Sequence, residues 1–223
     1  MGSSPSGSRL TRLQSDLLAA FFRRENRFFL TGGGALAGFY FAHRETDDLD
    51  LFCTPEQSLD EGVRALEEAA VDCGARLTGK QHHPDFRRLL AERGEERCLV
   101  DLVVDRAPAV ERDKATFGEI RVDTLREIAA NKICTLVGRA EIKDLVDLRA
   151  LLAAGVDLEQ AVADALTKDG GADPATLAWL LAELTIGPTA PLPSGLPPEE
   201  LLRFRDELIP RLRALAFAQV RVK

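Results

Sequence analysis

Residues 28–52 read FFLTGGGALAGFYFAHRETDDLDLF and carry the pattern that decides the fold. The aromatic run at 27–31 predicts a short buried strand, and a short helix is predicted at 35–42. Between them lie Gly32, Gly33 and Gly34. Glycine permits positive φ and close approach of the backbone to a ligand, and a helix N-terminus offers free N–H groups. The turn therefore fits either a bound phosphate or a purely structural strand-to-helix connection.

Two carboxylates stand at the end of this segment. Asp48 and Asp50 are two positions apart in a predicted strand, so their side chains share one face of the sheet, while Leu49 and Leu51 enter the core. Adjacent carboxylates repel each other and are stable chiefly with a cation between them, and oxygen ligands suit Mg²⁺. The alternative interpretation is a solvated acidic edge.

A third acid, Asp101, interrupts the apolar run at 100–105. An unpaired carboxylate within such a run is costly to bury. If this strand lies beside that of Asp48 and Asp50, the three carboxylates could hold two metal ions, one activating an attacking hydroxyl and one stabilising the leaving pyrophosphate. Otherwise Asp101 faces solvent at a strand edge.

The rest of the chain predicts two parts, an α/β core at 9–120 and a helical domain at 121–223. In the core, helices are expected at 9–23 and 58–73, and strands around 49–52, 76–81, 86–91 and 97–105. In the second part, helices are expected at 123–138, 142–153, 157–167, 174–184 and 198–218, the last kinked or interrupted near Pro210. The small polar residues 1–8 predict a disordered tail, and Trp179 is expected in the core.

The composition is that of an ordinary globular protein, with 223 residues, 45 % of them hydrophobic and 29 % charged. No apolar run reaches the roughly 18 residues of a membrane helix, and no signal-peptide pattern is present. Because 36 acidic residues face 29 basic ones, the formal net charge is −7, which argues against coating nucleic acid through overall charge but not against a local basic patch. The four cysteines form no CxxC pair, so reduced thiols in a cytoplasm are expected.

The order of the motifs resembles the AbiEii/AbiGii nucleotidyltransferase family of the DNA polymerase β-like superfamily. That family includes the toxin halves of type IV toxin–antitoxin pairs and is similar to MenT-type toxins, which add nucleotides to tRNA ends. The resemblance covers roughly residues 28–153. It is carried by the glycine turn, His43-Arg44, Thr46, Asp48-Leu49-Asp50-Leu51-Phe52, Asn131-Lys132-Ile133, Arg139 and Lys143-Asp144-Leu145-Val146-Asp147-Leu148.

The resemblance implies an α+β polymerase-β-like core with a mixed sheet, completed by a helical part that closes an active-site cleft. It assigns Mg²⁺, as a pair of ions, to Asp48, Asp50 and Asp101, and brings the glycine turn close to the nucleotide phosphates. Lys132 would contact the triphosphate, and Asp144 would be an active-site acid of the helical half. Further candidates for nucleotide binding are Arg44, Arg139 and Lys143. Without the resemblance, Lys132 could reach out to solvent and Asp144 could be a surface charge at a helix start.

The expected function is Mg²⁺-dependent transfer of a nucleoside monophosphate (NMP) from a nucleoside triphosphate (NTP) to an acceptor hydroxyl. The resemblance favours an RNA or tRNA end as acceptor and an antitoxin as partner, with no membrane involved. A small-molecule nucleotidyltransferase of the antibiotic-modifying type and a non-catalytic nucleotide-binding regulator remain alternatives. Basic residues of the last helix either contact an RNA backbone or are solvated charges beside acidic neighbours: Arg203, Arg205, Arg211, Arg213, Arg221 and Lys223.

Overall fold

The computed structural model describes residues 8–190, 192–193 and 195–220, apart from the side chains of 219 and 220. The described chain forms two compact units. The first comprises the residues up to Arg106 together with Asp113–Thr124, and the second comprises Ala107–Arg112 together with the residues from Leu125 onward. The segment 113–124 belongs to the first unit because it pairs with the sheet, whereas 107–112 belongs to the second. The predicted tail, Ser8 excepted, and the basic residues Arg221 and Lys223 lie outside the described residues.

The first unit is built on a seven-stranded mixed sheet with the strand order β3-β4-β5-β2-β1-β7-β6. Strand β2 runs parallel to β5, and β1 runs parallel to β7, whereas the other neighbours are antiparallel. The predicted mixed sheet is confirmed. The elements of this unit are α1 Arg12–Phe22, β1 Phe29–Thr31, α2 Gly32–Ala35, a π-helical turn Leu36–Tyr40, β2 Asp48–Cys53, α3 Leu59–Asp72, β3 Arg76–His83, β4 Phe86–Arg93, β5 Glu96–Val104, β6 Ala115–Phe117 and β7 Ile120–Val122.

The core of this unit follows the period-two pattern of the strands. Leu49 and Leu51 of β2 are in register with Val100 and Leu102 of β5, and all four are buried on one face. Helix α1, whose leucines recur at helical spacing, packs with α3 and contacts β5. The alternate positions of β2 are left on the other face, which is where its aspartates lie.

Two local expectations were wrong. The helix predicted at 35–42 begins earlier, at Gly32, and continues as the π-helical turn that ends at Tyr40, before Ala42 takes a positive φ of 50°. The hairpin β6–β7 was missed, because its strands are three residues long and carry too short an alternating pattern to be recognised.

The second unit is helical, as predicted. Its helices bury leucines against one another, among them Leu201, Leu208 and Leu212 of the last helix, which runs through Pro210 without interruption. Trp179 is 61 % exposed, contrary to expectation, because its helix turns Leu177 and Leu181 inward instead. The helices are α4 Leu125–Arg139, α5 Ile142–Ala153, α6 Leu158–Lys168, α7 Pro174–Glu183 and α8 Pro198–Val220. Over the described residues, none of the helices combines the length and the apolar character needed to cross a membrane.

Candidate active site

Strand β2 presents its two aspartates on one face of the sheet. Asp48 and Asp50 are partly exposed, while Leu49 and Leu51 between them are buried, as the alternation predicts. Asp50 is in register with Asp101 of the parallel neighbour β5. Because register partners on adjacent strands share a face, the three carboxylates lie on the same side of the sheet.

Asp101 is held by an arginine that the sequence analysis did not single out. Arg88 of β4 is in register with Asp101 and binds it through two hydrogen bonds, from Nε to Oδ1 at 2.8 Å and from Nη2 to Oδ2 at 2.5 Å. Asp101 is only 5 % exposed, which excludes a solvent-facing position at a strand edge. We call Asp48, Asp50, Asp101 and Arg88 the strand cluster.

The charges of all three aspartates in the strand cluster act on Arg88. Its hydrogen bonds to Asp101 raise the pKa of the Arg88 guanidinium, burial opposes this, and the charges of Asp101, Asp48 and Asp50 add to the increase. The guanidinium therefore already provides one positive charge beside the aspartates.

Thr46 fixes the orientation of Asp48. Its hydroxyl donates to Oδ1 of Asp48 at 2.9 Å, and its carbonyl accepts a buried hydrogen bond of 2.8 Å from Nε2 of Gln14 on α1. The loop ahead of β2 is thus anchored to a core helix. This gives Asp48 a defined side-chain position.

The glycine turn lies directly against the strand cluster. Gly32 has a φ of +63°, and a Cβ atom there would come within 2.5 Å of Oδ2 of Asp50. Gly33 leaves room for the guanidinium of Arg44, which also donates to the carbonyl of Glu45 at 2.9 Å. A Cβ on Gly34 would lie 3.3 Å from a Leu49 methyl group, so close packing on β2 already accounts for that glycine.

The donors of the strand cluster suit a hard cation. The atoms of the cluster that could bind a metal are the carboxylate oxygens of its three aspartates. Mg²⁺ is usually bound by one or two carboxylates together with substrate phosphates. Within the described residues, no group of three or more acidic, histidine or cysteine side chains is placed to hold a metal. Both oxygens of Asp101 accept hydrogen bonds from Arg88, whereas Asp48 and Asp50 are partly exposed, so Asp48 and Asp50 are the carboxylates best placed to bind Mg²⁺.

Three further predicted site residues, Lys132, Arg139 and Asp144, form a second cluster with Asp147 in the helical unit. Lys132 of α4 contacts Asp144 at 2.9 Å and Asp147 at 2.7 Å, both on α5. Arg139 binds Asp144 through Nε at 2.9 Å and Nη2 at 3.1 Å. We call these four residues the helical cluster. Lys143, by contrast, is 44 % exposed and pairs with Glu141 at 3.2 Å.

Burial and charge oppose each other in the helical cluster. Burial alone would raise the pKa of Asp144, but the hydrogen bond from Arg139 and the charge of Lys132 outweigh it, so that pKa is lowered. Burial alone would lower the pKa of Lys132, but the charges of Asp147 and Asp144 outweigh it, so that pKa is raised. Lys132 is only 6 % exposed and Asp144 fully buried, which rules out a solvent-reaching lysine and a surface aspartate.

Comparison with known proteins decides the family. A family model described as the nucleotidyl transferase AbiEii toxin of type IV toxin–antitoxin systems matches residues 16–222. The chain belongs to the AbiEii nucleotidyltransferase toxin family. It is accordingly a nucleotidyltransferase, and the resemblance noted from the sequence is confirmed.

Two solved structures from Helicobacter pylori share the fold of this AbiEii-family chain. One is JHP933, with a TM-score of 0.58 at 18 % identity, and the other is a candidate nucleotidyltransferase, with a TM-score of 0.62 at 17 % identity. Each alignment covers 95 % of both chains. Among curated proteins no match was found.

A further polar group in this AbiEii-family chain supports the strand that enters the glycine turn. Asp123, buried after β7, accepts a hydrogen bond of 2.8 Å from the hydroxyl of Thr31 and an ion pair of 2.7 Å from Lys114. The Lys114 ammonium also lies 4.3 Å from the ring centre of Phe29. Sequence reasoning missed this group, because Thr31 and Asp123 are 92 positions apart along the chain. They meet only because the hairpin β6–β7, which was not recognised, pairs with β1.

Proposed function

We propose that this chain transfers an NMP from an NTP to a hydroxyl at an RNA end, with Mg²⁺, as the toxin of a toxin–antitoxin pair. Family membership supplies the reaction class. The observation that carries the assignment to these residues is that Gly32 leaves no room for a side chain beside Asp50, since a Cβ there would lie 2.5 Å from Oδ2 of that carboxylate. The Gly32 backbone, which a phosphate can approach, therefore lies next to a carboxylate that can bind the cation accompanying that phosphate.

Asp48 and Asp50 would hold Mg²⁺ together with phosphate oxygens of the NTP. When bound, the ion supplies charge neutralisation of the triphosphate and lowers the pKa of an adjacent hydroxyl. The hydrogen bond from Thr46 keeps Asp48 oriented, and Arg44 lies at the glycine turn, where its charge favours phosphate.

The transfer itself is an in-line displacement at the α-phosphorus. The acceptor oxygen forms a bond to that phosphorus as the bond to pyrophosphate breaks, and the hydroxyl proton is lost to solvent or to a nearby base. The protein's contribution is positioning and charge stabilisation, since the phosphoryl group needs little covalent help. Oriented carboxylates on a rigid strand suit that task.

An RNA or tRNA end is the acceptor that the resemblance seen in the sequence favours. Arg205 of α8 does not add to this choice, because its guanidinium pairs with Asp206 at 2.7 Å and donates to the carbonyl of Leu184. A cognate antitoxin is the proposed partner, on the strength of the family.

The acceptor can be tested with four α-³²P-labelled NTPs, each incubated with Mg²⁺ and either total RNA or a mixture of aminoglycosides. We expect label in an RNA band of tRNA size, with about 10²–10³-fold less for Asp50→Asn. Label on the aminoglycosides alone would replace the RNA acceptor by a small molecule. Nucleotide binding without transfer to either would indicate a non-catalytic regulator.

The toxin role has its own experiment. Induced expression of the chain is expected to arrest growth of a bacterial host, and co-expression of the neighbouring gene is expected to relieve the arrest. Asp50→Asn should leave growth unaffected at equal protein level. Growth arrest by that variant would separate toxicity from nucleotide transfer.

A further inference from the structure

Arg88 occupies a central place in the strand cluster. Strands β4, β5 and β2 are consecutive in the sheet, and Arg88, Asp101 and Asp50 are in register across them. The three side chains therefore form a row on one face, with Asp101 between the guanidinium and Asp50. The neighbouring Arg87 lies on the opposite face and pairs with Asp60 of α3 at 3.3 Å.

The contact between Arg88 and Asp101 engages the whole carboxylate. Two parallel hydrogen bonds between a guanidinium and a carboxylate are stronger and more specific in geometry than a single hydrogen bond, because the planar guanidinium already has the required shape. The Asp101 side chain is 7 % exposed, so removing its partner would leave a charge that water cannot solvate. A metal ion at Asp101 would share oxygens that already accept hydrogen bonds from a positively charged partner, which repels the ion.

From this row of residues we infer that Arg88 supplies a fixed positive charge to the cluster in place of the second metal ion that the three-acid pattern predicts. The site then binds one divalent cation, through Asp48 and Asp50, and Asp101 serves as a positioning residue that holds Arg88. The inference rests on the proposed Mg²⁺-dependent transfer and replaces the pair of ions expected from the sequence by a single ion and an arginine.

Electrostatics gives the inference a measurable consequence. A guanidinium whose charge acts on the same aspartates repels a divalent cation bound there, and removing that unit charge should change the binding constant by about tenfold. Loss of the Arg88 charge also releases Asp101 as a ligand. A variant at this position should therefore bind metal more tightly or bind a second ion.

The experiment titrates Mn²⁺ alone into the full chain, without nucleotide, and follows free Mn²⁺ by electron paramagnetic resonance. The variants are Arg88→Gln, which keeps a hydrogen-bonding group beside Asp101, and the matched control Arg87→Gln on the other face of the same strand. Asp101→Asn and Asp50→Asn complete the set, and circular dichroism verifies that each is folded.

We expect one Mn²⁺ per chain in the wild type and in Arg87→Gln. Arg88→Gln should bind about tenfold more tightly or take up a second ion. Asp101→Asn should retain one ion, whereas Asp50→Asn should lose it. If Arg88→Gln does not fold, these two variants still show whether Asp50 binds the ion and Asp101 does not.

Two ions in the wild type, unchanged binding by Arg88→Gln, or loss of the ion from Asp101→Asn would each overturn the role of Arg88. These results leave the proposed transfer reaction intact. Absence of Mn²⁺ binding in the wild type without nucleotide would also overturn the inference of one bound ion, whereas the proposed metal dependence fails only if NMP transfer proceeds equally well in the presence of EDTA.

Discussion

The strand cluster and the helical cluster use the same residue types in different surroundings. In the helical cluster, Asp144 and Asp147 are fully buried and are bound by Lys132 and Arg139. In the strand cluster, Asp48 and Asp50 are partly exposed on β2 beside a glycine turn.

This difference separates two uses of charge. A buried set whose partners lie within the protein fixes the packing of helices, and breaking it leaves an uncompensated charge. A partly exposed set of carboxylates next to an accessible backbone can exchange its counter-ion for a ligand. We therefore expect changes in the helical cluster to act on stability and changes in the strand cluster to act on chemistry.

The largest effect is expected for Lys132→Met. This change leaves Asp144 and Asp147 buried without their shared ammonium, and the free energy of unfolding should fall by about 3–5 kcal/mol. Urea unfolding followed by fluorescence of Trp179, the single tryptophan, reports the helical unit. The matched control Lys143→Met removes a half-exposed lysine and should change stability by less than about 1 kcal/mol. An equal decrease in the free energy of unfolding for both variants would contradict a stabilising role of the helical cluster.

Asp50→Asn is expected to act on the reaction. Nucleotide transfer should fall by about 10²–10³-fold, as for loss of other charge-stabilising groups, while urea stability changes little because the side chain is partly exposed. The rate of label incorporation, measured beside Asp47→Asn, is the readout. Asp47 is an exposed neighbour outside the cluster, so its variant should retain activity. Comparable losses for both would point to a general effect of charge.

Gly32→Ala tests the contact between turn and carboxylate. An alanine at a φ of +63°, with its Cβ forced against Asp50, should cost about 1–2 kcal/mol of stability and displace that carboxylate. Gly138→Ala in α4, where a Cβ would meet nothing within 4 Å, is the control and should be neutral or stabilising by up to about 1 kcal/mol. Thermal melts and transfer rates distinguish the two. Normal activity in Gly32→Ala would argue against a role for the turn.

The smallest effect concerns pH. The pKa of Asp144 is lower in the folded chain than in the unfolded one, so its stabilisation is present above about pH 4 and is lost as pH falls through the folded value. Arg139→Gln weakens this interaction, and the melting temperature at pH 7 should drop by a few degrees. The gap between wild type and variant should narrow below pH 4. A gap independent of pH would remove Arg139 as the cause.

Local sequence patterns predicted the parts of the site that depend on neighbours along the chain. The alternation of Asp48, Leu49, Asp50 and Leu51 was enough to place both carboxylates on one face, as the structure has them. The glycine triplet was enough to mark the strand-to-helix turn. Such features follow from the two-residue period of a strand and the conformational freedom of glycine.

Local sequence patterns could not predict which residues pair across the sheet. Whether Arg87 or Arg88 meets Asp101 depends on the register of the hairpin whose turn contains Gly94, and a slip of one residue would exchange them. The Lys132 contacts likewise depend on how α4 packs on α5, which the helical period leaves open. Lys132, expected beside the triphosphate, was found between two aspartates for that reason. Its contact with nucleotide stays a prediction.

The most direct test of the account compares the two labels of one nucleotide. The wild-type chain is incubated with Mg²⁺, total RNA and the same NTP carrying ³²P at either the α or the γ position, with Asp50→Asn beside it. We predict that the α label appears in RNA, that the γ label is released as pyrophosphate, and that the variant forms both products about 10²–10³-fold more slowly. Transfer of the γ label to RNA, or α-label transfer by Asp50→Asn at the wild-type rate, would contradict nucleotidyl transfer at the strand cluster.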